Sequence, residues 1–222
     1  MLRLGLTGQS TAKLQVLCLG CHSDDIEIGC GGSVLGLAGQ YTDCELHWVV
    51  FSGTGQREAE ARRAAGLFAG PERLRGPVFK GFRDGFMPYM GAEVKAAFEE
   101  LKQAVSPDLI FTHNRQDAHQ DHRLIAELTW NTFRNHLILE YEIPKYDGDL
   151  GRPNVFAPLS AELCRKKVAY LMESFESQRG KAWFTEDTFL SLMRLRGMEC
   201  NAPSGFAEAF YSRKLVLGFP DL

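Results

Sequence analysis

Leu14-Gln15-Val16-Leu17-Cys18-Leu19-Gly20-Cys21-His22-Ser23-Asp24-Asp25 is a short apolar run that ends at one imidazole and two carboxylates. Such a run reads as a buried strand, so the polar residues stand where a strand stops and a loop opens. The pattern recurs where Leu109-Ile110-Phe111-Thr112 leads into His113-Asn114-Arg115-Gln116-Asp117-Ala118-His119-Gln120-Asp121-His122. In a parallel sheet the loops at the carboxyl ends of strands form the ligand crevice. Two such clusters delivered to one crevice supply two histidines and a carboxylate for a catalytic metal, with side chains left over for proton transfer.

Outward from these clusters the chain alternates. Residues 14–19 form the first strand, and 28–38 are small or apolar with helical periodicity. Gly29, Gly31 and Gly32 follow the carboxylates without G-x-G-x-x-G spacing, so they read as a surface for close helix packing, not as a dinucleotide fingerprint. Residues 45–51 are a second strand, 57–68 a helix stopped by Gly70-Pro71, 77–82 a third strand and 93–105 an amphipathic helix broken by Pro107. Residues 108–112 are a fourth strand, and 121–133 a helix with Asp121 near its start, where a carboxylate is favoured. Strands alternating with helices of this length predict an α/β fold, a three-layer sandwich with a mostly parallel Rossmann-like sheet and the metal site at the carboxyl ends of the strands. Beyond it, 136–143 is another strand, 146–158 a Gly- and Pro-punctuated loop, 161–177 and 187–196 are helices, and 209–217 is a returning strand. The whole of 1–222 is expected to be one domain, with a core of about 12–135 and a C-terminal subregion of about 136–222.

With 45% hydrophobic and 24% charged residues the chain has an ordinary globular composition, and its net charge of -3 gives no reason to expect nucleic acid as a partner. The basic runs Arg165-Lys166-Lys167 and Arg194-Leu195-Arg196 lie in helical patterns and read as solvated faces. Residues 1–15 contain no continuous apolar segment with a small-residue cleavage site, and no run approaches the ~20 apolar residues of a membrane span, so a cytoplasmic protein is expected. Six cysteines in a chain of this size read as free thiols, and the Cys18-x-x-Cys21 string has no second pair to complete a structural zinc site.

His22 and Asp25 are three positions apart on a loop entering a helix, a spacing that lets both side chains meet at one point. His119 and His122 have the same spacing around Asp121. If one of that pair binds the metal, the other is free to donate a proton or polarise a carbonyl; the ligand set is then His22, Asp25 and His122. Asp24, beside a ligand, suits the general base for a water whose pKa a metal pulls toward ~7. His119 suits the acid and oxyanion partner, and Asp121 is expected to orient its ring and favour the imidazolium. Arg57 and Asp84 fall after the second and third strands, at the same sheet edge, and are candidates for binding hydroxyls or a phosphate of a sugar substrate, although an ordinary salt-bridge or cap role accounts for each equally well. Tyr141 is a candidate further donor to the oxyanion, although burial in the core is the more ordinary reading of a tyrosine there. Aromatic packing is also the ordinary reading of Trp183-Phe184.

The string Cys21-His22-Ser23-Asp24-Asp25-Ile26-Glu27-Ile28-Gly29-Cys30-Gly31-Gly32 resembles the first signature of the LmbE-like, or PIG-L-like, family of zinc-dependent de-N-acetylases, and His113-x-x-x-Asp117-x-His119-x-Asp121-His122 resembles the second. Arg57-Glu58-Ala59, Phe82-Arg83-Asp84-Gly85 and Ala207-Glu208-Ala209-Phe210 extend the similarity along the chain. The resemblance implies one Zn2+ per chain, or another divalent ion, held by His22, Asp25 and His122, with Asp24 as base and His119 stabilising the oxyanion. Ser23 stands where the family has Pro, and Ile26 where it has Glu, so whatever role that Glu plays is either absent or taken by Glu27.

The implied reaction is removal of an N-acetyl group from an acetylated amino sugar of the N-acetylglucosamine type, nucleotide-linked or not. The segment from Glu140 to Leu150 resembles that of family members in polysaccharide and natural-product sugar pathways. The partner is then a small-molecule sugar, with homo-oligomerisation open. Two other readings compete: a metal-dependent phosphoesterase, which needs further metal-bridging carboxylates, and a non-catalytic sugar- or nucleotide-binding protein, which needs neither Asp24 nor His119.

Overall fold

The structure, a computed structural model, describes residues 5–6 and 13–217. Most of the N-terminal stretch read above for a secretory signal lies outside the described residues.

Among the described residues, seven strands form one sheet: β1 (Leu14–Gly20), β2 (Cys44–Ser52), β3 (Leu74–Phe82), β4 (Leu109–His113), β5 (Leu137–Tyr141), β6 (Val155–Leu159) and β7 (Phe206–Tyr211). Their order is β3-β2-β1-β4-β5-β7-β6. The first five are mutually parallel, while β7 runs antiparallel to both β5 and β6. The chain therefore builds outward from β1 through β2 to β3, then returns to lay β4 on the other side of β1. That reversal is the topological switch point, where the loops after two neighbouring strands diverge to opposite faces and leave a crevice. The loops after β1 and β4 carry the two polar clusters, so the topology brings them together.

Helices α1 (Asp25–Gln40), α2 (Gln56–Ala69), α5 (Ala161–Ser174) and α6 (Glu186–Glu199) cover one face, and α3 (Gly91–Ala104) and α4 (Gln120–Thr132) the other. Alternate residues of β1 serve the two sides: Val16 and Cys18 pack with Trp48, Val50 and Phe68, and Leu17 and Leu19 with Phe51, Phe98 and Ile125. Cover on both faces explains why β1 reads as a continuous apolar run and not as an alternation. The glycines of α1 let that helix lie close: a Cβ on Gly29 would strike the Tyr141 ring, and one on Gly31 the Phe68 ring.

The C-terminal region departs from its sequence reading. The expected 146–158 loop contains β6, which ends just beyond Pro158; β6 pairs only with β7, and an edge strand tolerates a missing N–H. The returning strand is Phe206–Tyr211, not 209–217. The helix expected over 161–177 stops at Ser174, and a 3-10 turn follows at Glu176–Gln178.

The basic runs are not wholly solvated. Lys167 and Arg196 are buried, whereas Arg165, Lys166 and Arg194 are exposed. Lys167 Nζ donates to Ile28 O (2.6 Å) and to Glu208 (2.7 Å), while Glu208 accepts from the Gly32 and Ser33 amides, both at 2.7 Å. A β7 carboxylate and an α5 ammonium thus enter the hydrogen-bond ladder of α1, one turn past the first polar cluster. Arg196 makes a two-pronged pair with Glu142, both bonds 2.9 Å, at the base of the loop after β5.

Candidate active site

His22, Ser23 and Asp24 occupy the turn between β1 and α1, and Asp25 begins the helix; all four are buried. His122 lies in the first turn of α4. His22 Nδ1 is 3.0 Å from His122 Nε2, Asp25 Oδ2 is 3.4 Å from His22 Nδ1, and it is 3.6 Å from His122 Nε2. These edges match a tetrahedral ion with bonds of about 2.0–2.1 Å, whose ligand atoms stand about 3.4 Å apart.

The second ring nitrogen of each histidine bears on what the triangle could hold. His22 Nε2 is 2.8 Å from Asp84 Oδ1, and His122 Nδ1 is 2.9 Å from Asp117 Oδ2. Each ring donates outward to a carboxylate, so in the neutral tautomers both remaining lone pairs aim at the same point. The 3.0 Å separation is that of a hydrogen bond, so in the metal-free chain one of the two nitrogens carries a proton, in keeping with the raised pKa of His22, and a cation would take that proton's place. The donor set, the spacing and the outer carboxylates all fit a divalent ion bound by His22, Asp25 and His122. Cys21 flanks the group, but burial pushes its thiol up to about 12, against the thiolate that a metal ligand requires.

The surrounding electrostatics match this geometry. Burial alone would raise Asp25, but His122, His113 and His22 hold it well below the usual carboxylate range. For Asp24, burial and the neighbouring Asp25 raise the pKa, opposed by Arg57, whose Nη2 donates to Asp24 Oδ1 at 3.3 Å. Asp24 Oδ2 is buried without a protein partner, which leaves one oxygen of a carboxylate with heightened proton affinity for a reacting group. His22 is lowered by burial but lifted further by Cys21, Asp25 and Asp84, so its pKa lies well above the ordinary imidazole value.

His119 caps α4: its Nδ1 accepts the Asp121 amide at 3.2 Å, which leaves Nε2–H as the donor. Its ring lies 4.9 Å from that of His22 and 4.6 Å from that of His122, between centroids. Burial, with His122 and His22, lowers its pKa and keeps it neutral. The expected side-chain pairing with Asp121 is absent. The Asp121 carboxylate is wholly buried and accepts instead from Gly85 N–H (2.6 Å) and Met87 N–H (3.2 Å), pinning the loop after β3 to the helix that carries His122. Asp121 points away from His119 because it lies inside the helix, whereas His119 is its cap.

The remaining expectations sort cleanly. Arg57, in the first turn of α2, contacts both Asp24 and Asp84 (3.7 Å) and stands in the site. Asp84 also belongs there, but as the carboxylate that orients His22, and the His22 hydrogen bond holds it down at about 2. Tyr141 does not face the crevice: it is fully buried, and its hydroxyl donates to Leu19 O at 2.6 Å. Ile26 lies in the core, and Glu27 is buried with neither carboxyl oxygen partnered, its pKa lifted well up by burial.

Three contributors went unassigned in the sequence. Asp117 bonds the His122 ring through one oxygen and the His119 amide through the other (2.8 Å). Lys145, from the loop after β5, stands 3.0 Å from Asp117 and 2.5 Å from Asp149, which in turn accepts the Ala118 amide at 2.6 Å. His113 accepts the Cys21 amide at 2.9 Å and lies 3.2 Å from Asp25, bracing the turn from beneath. The position of Asp117 five residues before His122, in the turn leading to the helix, was the available signal.

The profile of the family described as PIG-L: GlcNAc-PI de-N-acetylase matches residues 17–133, from β1 through α4. A curated relative, the uncharacterized deacetylase YaiS of Escherichia coli K12, is 27% identical over 177 residues, covering 75% of this chain and 93% of that protein. Among solved structures, the N,N'-diacetylchitobiose deacetylase of Pyrococcus horikoshii superposes with a TM-score of 0.65 at 18% identity, covering 93% of this chain and 88% of the other. GalB, the 4-carboxy-2-hydroxymuconate hydratase of Pseudomonas putida KT2440, superposes with a TM-score of 0.70 at 16% identity, covering 93% and 98%. At these identities the superpositions speak for the fold alone, and their differing chemistries show that the fold by itself does not choose the reaction. With more than half of its length matched by one family profile, the chain belongs to the PIG-L, GlcNAc-PI de-N-acetylase, family and is an enzyme of its hydrolytic N-deacetylase class.

Proposed function

We propose that this chain is a zinc-dependent deacetylase that hydrolyses the N-acetyl group of an acetylated amino sugar, releasing acetate and the free amine. The observation that carries this reading is the convergence of the His22 and His122 lone pairs on one point, beside a carboxylate with an unpartnered oxygen. His22, Asp25 and His122 would hold the ion. When bound, it supplies a Lewis acid for the amide carbonyl and lowers the pKa of a water.

The chain's own residues account for the proton traffic. Arg57 holds Asp24 through Oδ1, so Oδ2 is the oxygen that takes the proton from the attacking water. The neutral His119 donates from Nε2 to the oxygen on which charge develops, a donor held in place by its cap on α4. Asp24 then returns its proton to the nitrogen, and the C–N bond breaks to give amine and acetate. Asp84 and Asp117 keep the two rings in register throughout.

An amino sugar is favoured because the P. horikoshii structure is named for N,N'-diacetylchitobiose, and because polar side chains of Arg57 and Asp84 remain partly open at the crevice. The test is acetate release by the zinc-loaded protein from N-acetylglucosamine, N,N'-diacetylchitobiose and a nucleotide-linked N-acetylglucosamine, with metal counted per chain. One zinc and acetate from at least one sugar are expected. Two metals per chain with phosphate release, or metal binding without any turnover, would replace this reading.

A further inference from the structure

Both candidate ligand rings are backed by the same three-part arrangement. His22 leans on Asp84, and Asp84 lies 3.7 Å from the Arg57 guanidinium. His122 leans on Asp117, and Asp117 lies 3.0 Å from the Lys145 ammonium. Imidazole, carboxylate and cation follow one another outward on each side of the centre. The two cations differ in what else they touch. Arg57 also holds the proton acceptor Asp24, whereas the polar neighbours of Lys145 among the described residues are Asp117, Asp149 and the Ile143 carbonyl.

The His122 arm is the closer and drier of the two. The side chains of Asp117 and Lys145 are 3% and 11% exposed, against 53% for Asp84, so little water screens the ammonium. Lys145 and His122 share one oxygen, Asp117 Oδ2, while Oδ1 accepts the His119 amide at 2.8 Å. A cation on the oxygen that accepts the Nδ1 proton weakens the pull of the carboxylate on that proton. The ring then stays a moderate donor at Nε2 and is not drawn toward imidazolate.

The loop that carries Lys145 is fastened without it. Asp149 accepts the Ala118 amide at 2.6 Å, and Gly151 N–H donates at 3.1 Å to Glu142, which Arg196 fixes from the other side. Removing the Lys145 charge therefore leaves both ends of the loop bonded.

We infer that Lys145 is a positioning residue that acts through Asp117: its positive charge limits how strongly His122 binds the ion, which leaves the ion a stronger Lewis acid toward the amide carbonyl. This rests on the deacetylase reading, with His122 as a ligand, and adds to it a determinant of metal strength. A simple tether would have the opposite effect, because loosening the outer partner of a metal-bound histidine costs affinity.

The experiment measures zinc affinity by chelator competition, and kcat for acetate release from N-acetylglucosamine and N,N'-diacetylchitobiose, in the full chain as wild type, Lys145→Gln, Lys145→Met and Lys145→Arg. The glutamine keeps an N–H donor for the two aspartates and removes only the charge; the methionine removes both. In these two variants zinc should bind about 3- to 10-fold more tightly, the scale of one unit charge acting across several ångströms of buried protein, and kcat should fall by about the same factor. Lys145→Arg should restore both quantities. Weaker or unchanged zinc binding, or a kcat that does not fall, overturns the assignment. If zinc binds and neither sugar yields acetate, the deacetylase reading is what fails, and the affinities alone decide for Lys145. If the wild type binds no zinc, the metal reading fails, and proton NMR of the His122 Nδ1–H in the metal-free chain decides instead. A downfield move in Lys145→Gln sustains the restraint that Lys145 places on Asp117, and an unmoved signal ends it.

Discussion

His22 and His122, 100 residues apart in the chain, bring their ring nitrogens to 3.0 Å, and each ring is turned there by a carboxylate on its far side. The pair has the geometry of a cation site, and the strength of such a site would depend on the two outer aspartates as well as on the rings. Asp117→Asn is expected to weaken zinc binding by about 10- to 100-fold, the usual loss when an outer partner of a metal-bound histidine is removed. Competition with a chromophoric chelator measures it. Unchanged affinity would show that Asp117 serves only the His119 amide.

Asp24→Asn keeps the shape but removes the proton acceptor. Zinc content should stay at one per chain while acetate release falls by about 100- to 10,000-fold, the range attributed to a positioned acid or base. Metal analysis and turnover are read on the same sample. Undiminished activity would take Asp24 out of the chemistry.

The pair formed by Lys167 and Glu208 is 3–4% exposed and enters the α1 ladder, so breaking one side leaves a charge without compensation. Lys167→Met should cost about 3–5 kcal/mol in urea unfolding, whereas Lys167→Met with Glu208→Leu should recover part of that loss. Additive losses in the double variant would mean that the two side chains do not interact.

Acid should destabilise the metal-free protein through His113. Burial, reinforced by His122, depresses its pKa from 6.5 to about 4, so between those values the unfolded chain takes up a proton that the folded chain refuses. Stability therefore falls as pH drops from 6.5 toward about 4 and this contribution levels off below. The melting temperature across that window, together with the NMR titration of the His113 ring, checks it. A ring that titrates near 6.5 in the folded protein refutes the assignment.

Much of the core could be read without coordinates, because β1, β2 and β4 are apolar runs bounded by glycine or polar clusters, and the loops that follow carry the chemistry. The switch point between β1 and β4 then made the meeting of His22 and His122 legible. What stayed hidden depends on partners distant in sequence. Lys167 and Arg196 look like surface cations until Glu208 and Glu142 are placed beside them, 41 and 54 residues away. The exchange of roles between Asp117 and Asp121 turns on where α4 begins, since a residue before the cap faces the ring of His122 and one after it faces the neighbouring loop. β6 was obscured by Pro158, which an edge position accommodates and a central one would not.

Asp121 secures the Arg83–Phe86 turn by gripping main-chain amides, which every amino acid at positions 85 and 87 except proline possesses. The outward-facing side chains at 83 and 86 can consequently be exchanged while the scaffold beneath them keeps its alignment. Selectivity can therefore be sought at these two surface positions without disturbing the hydrogen bonds that anchor the turn to α4.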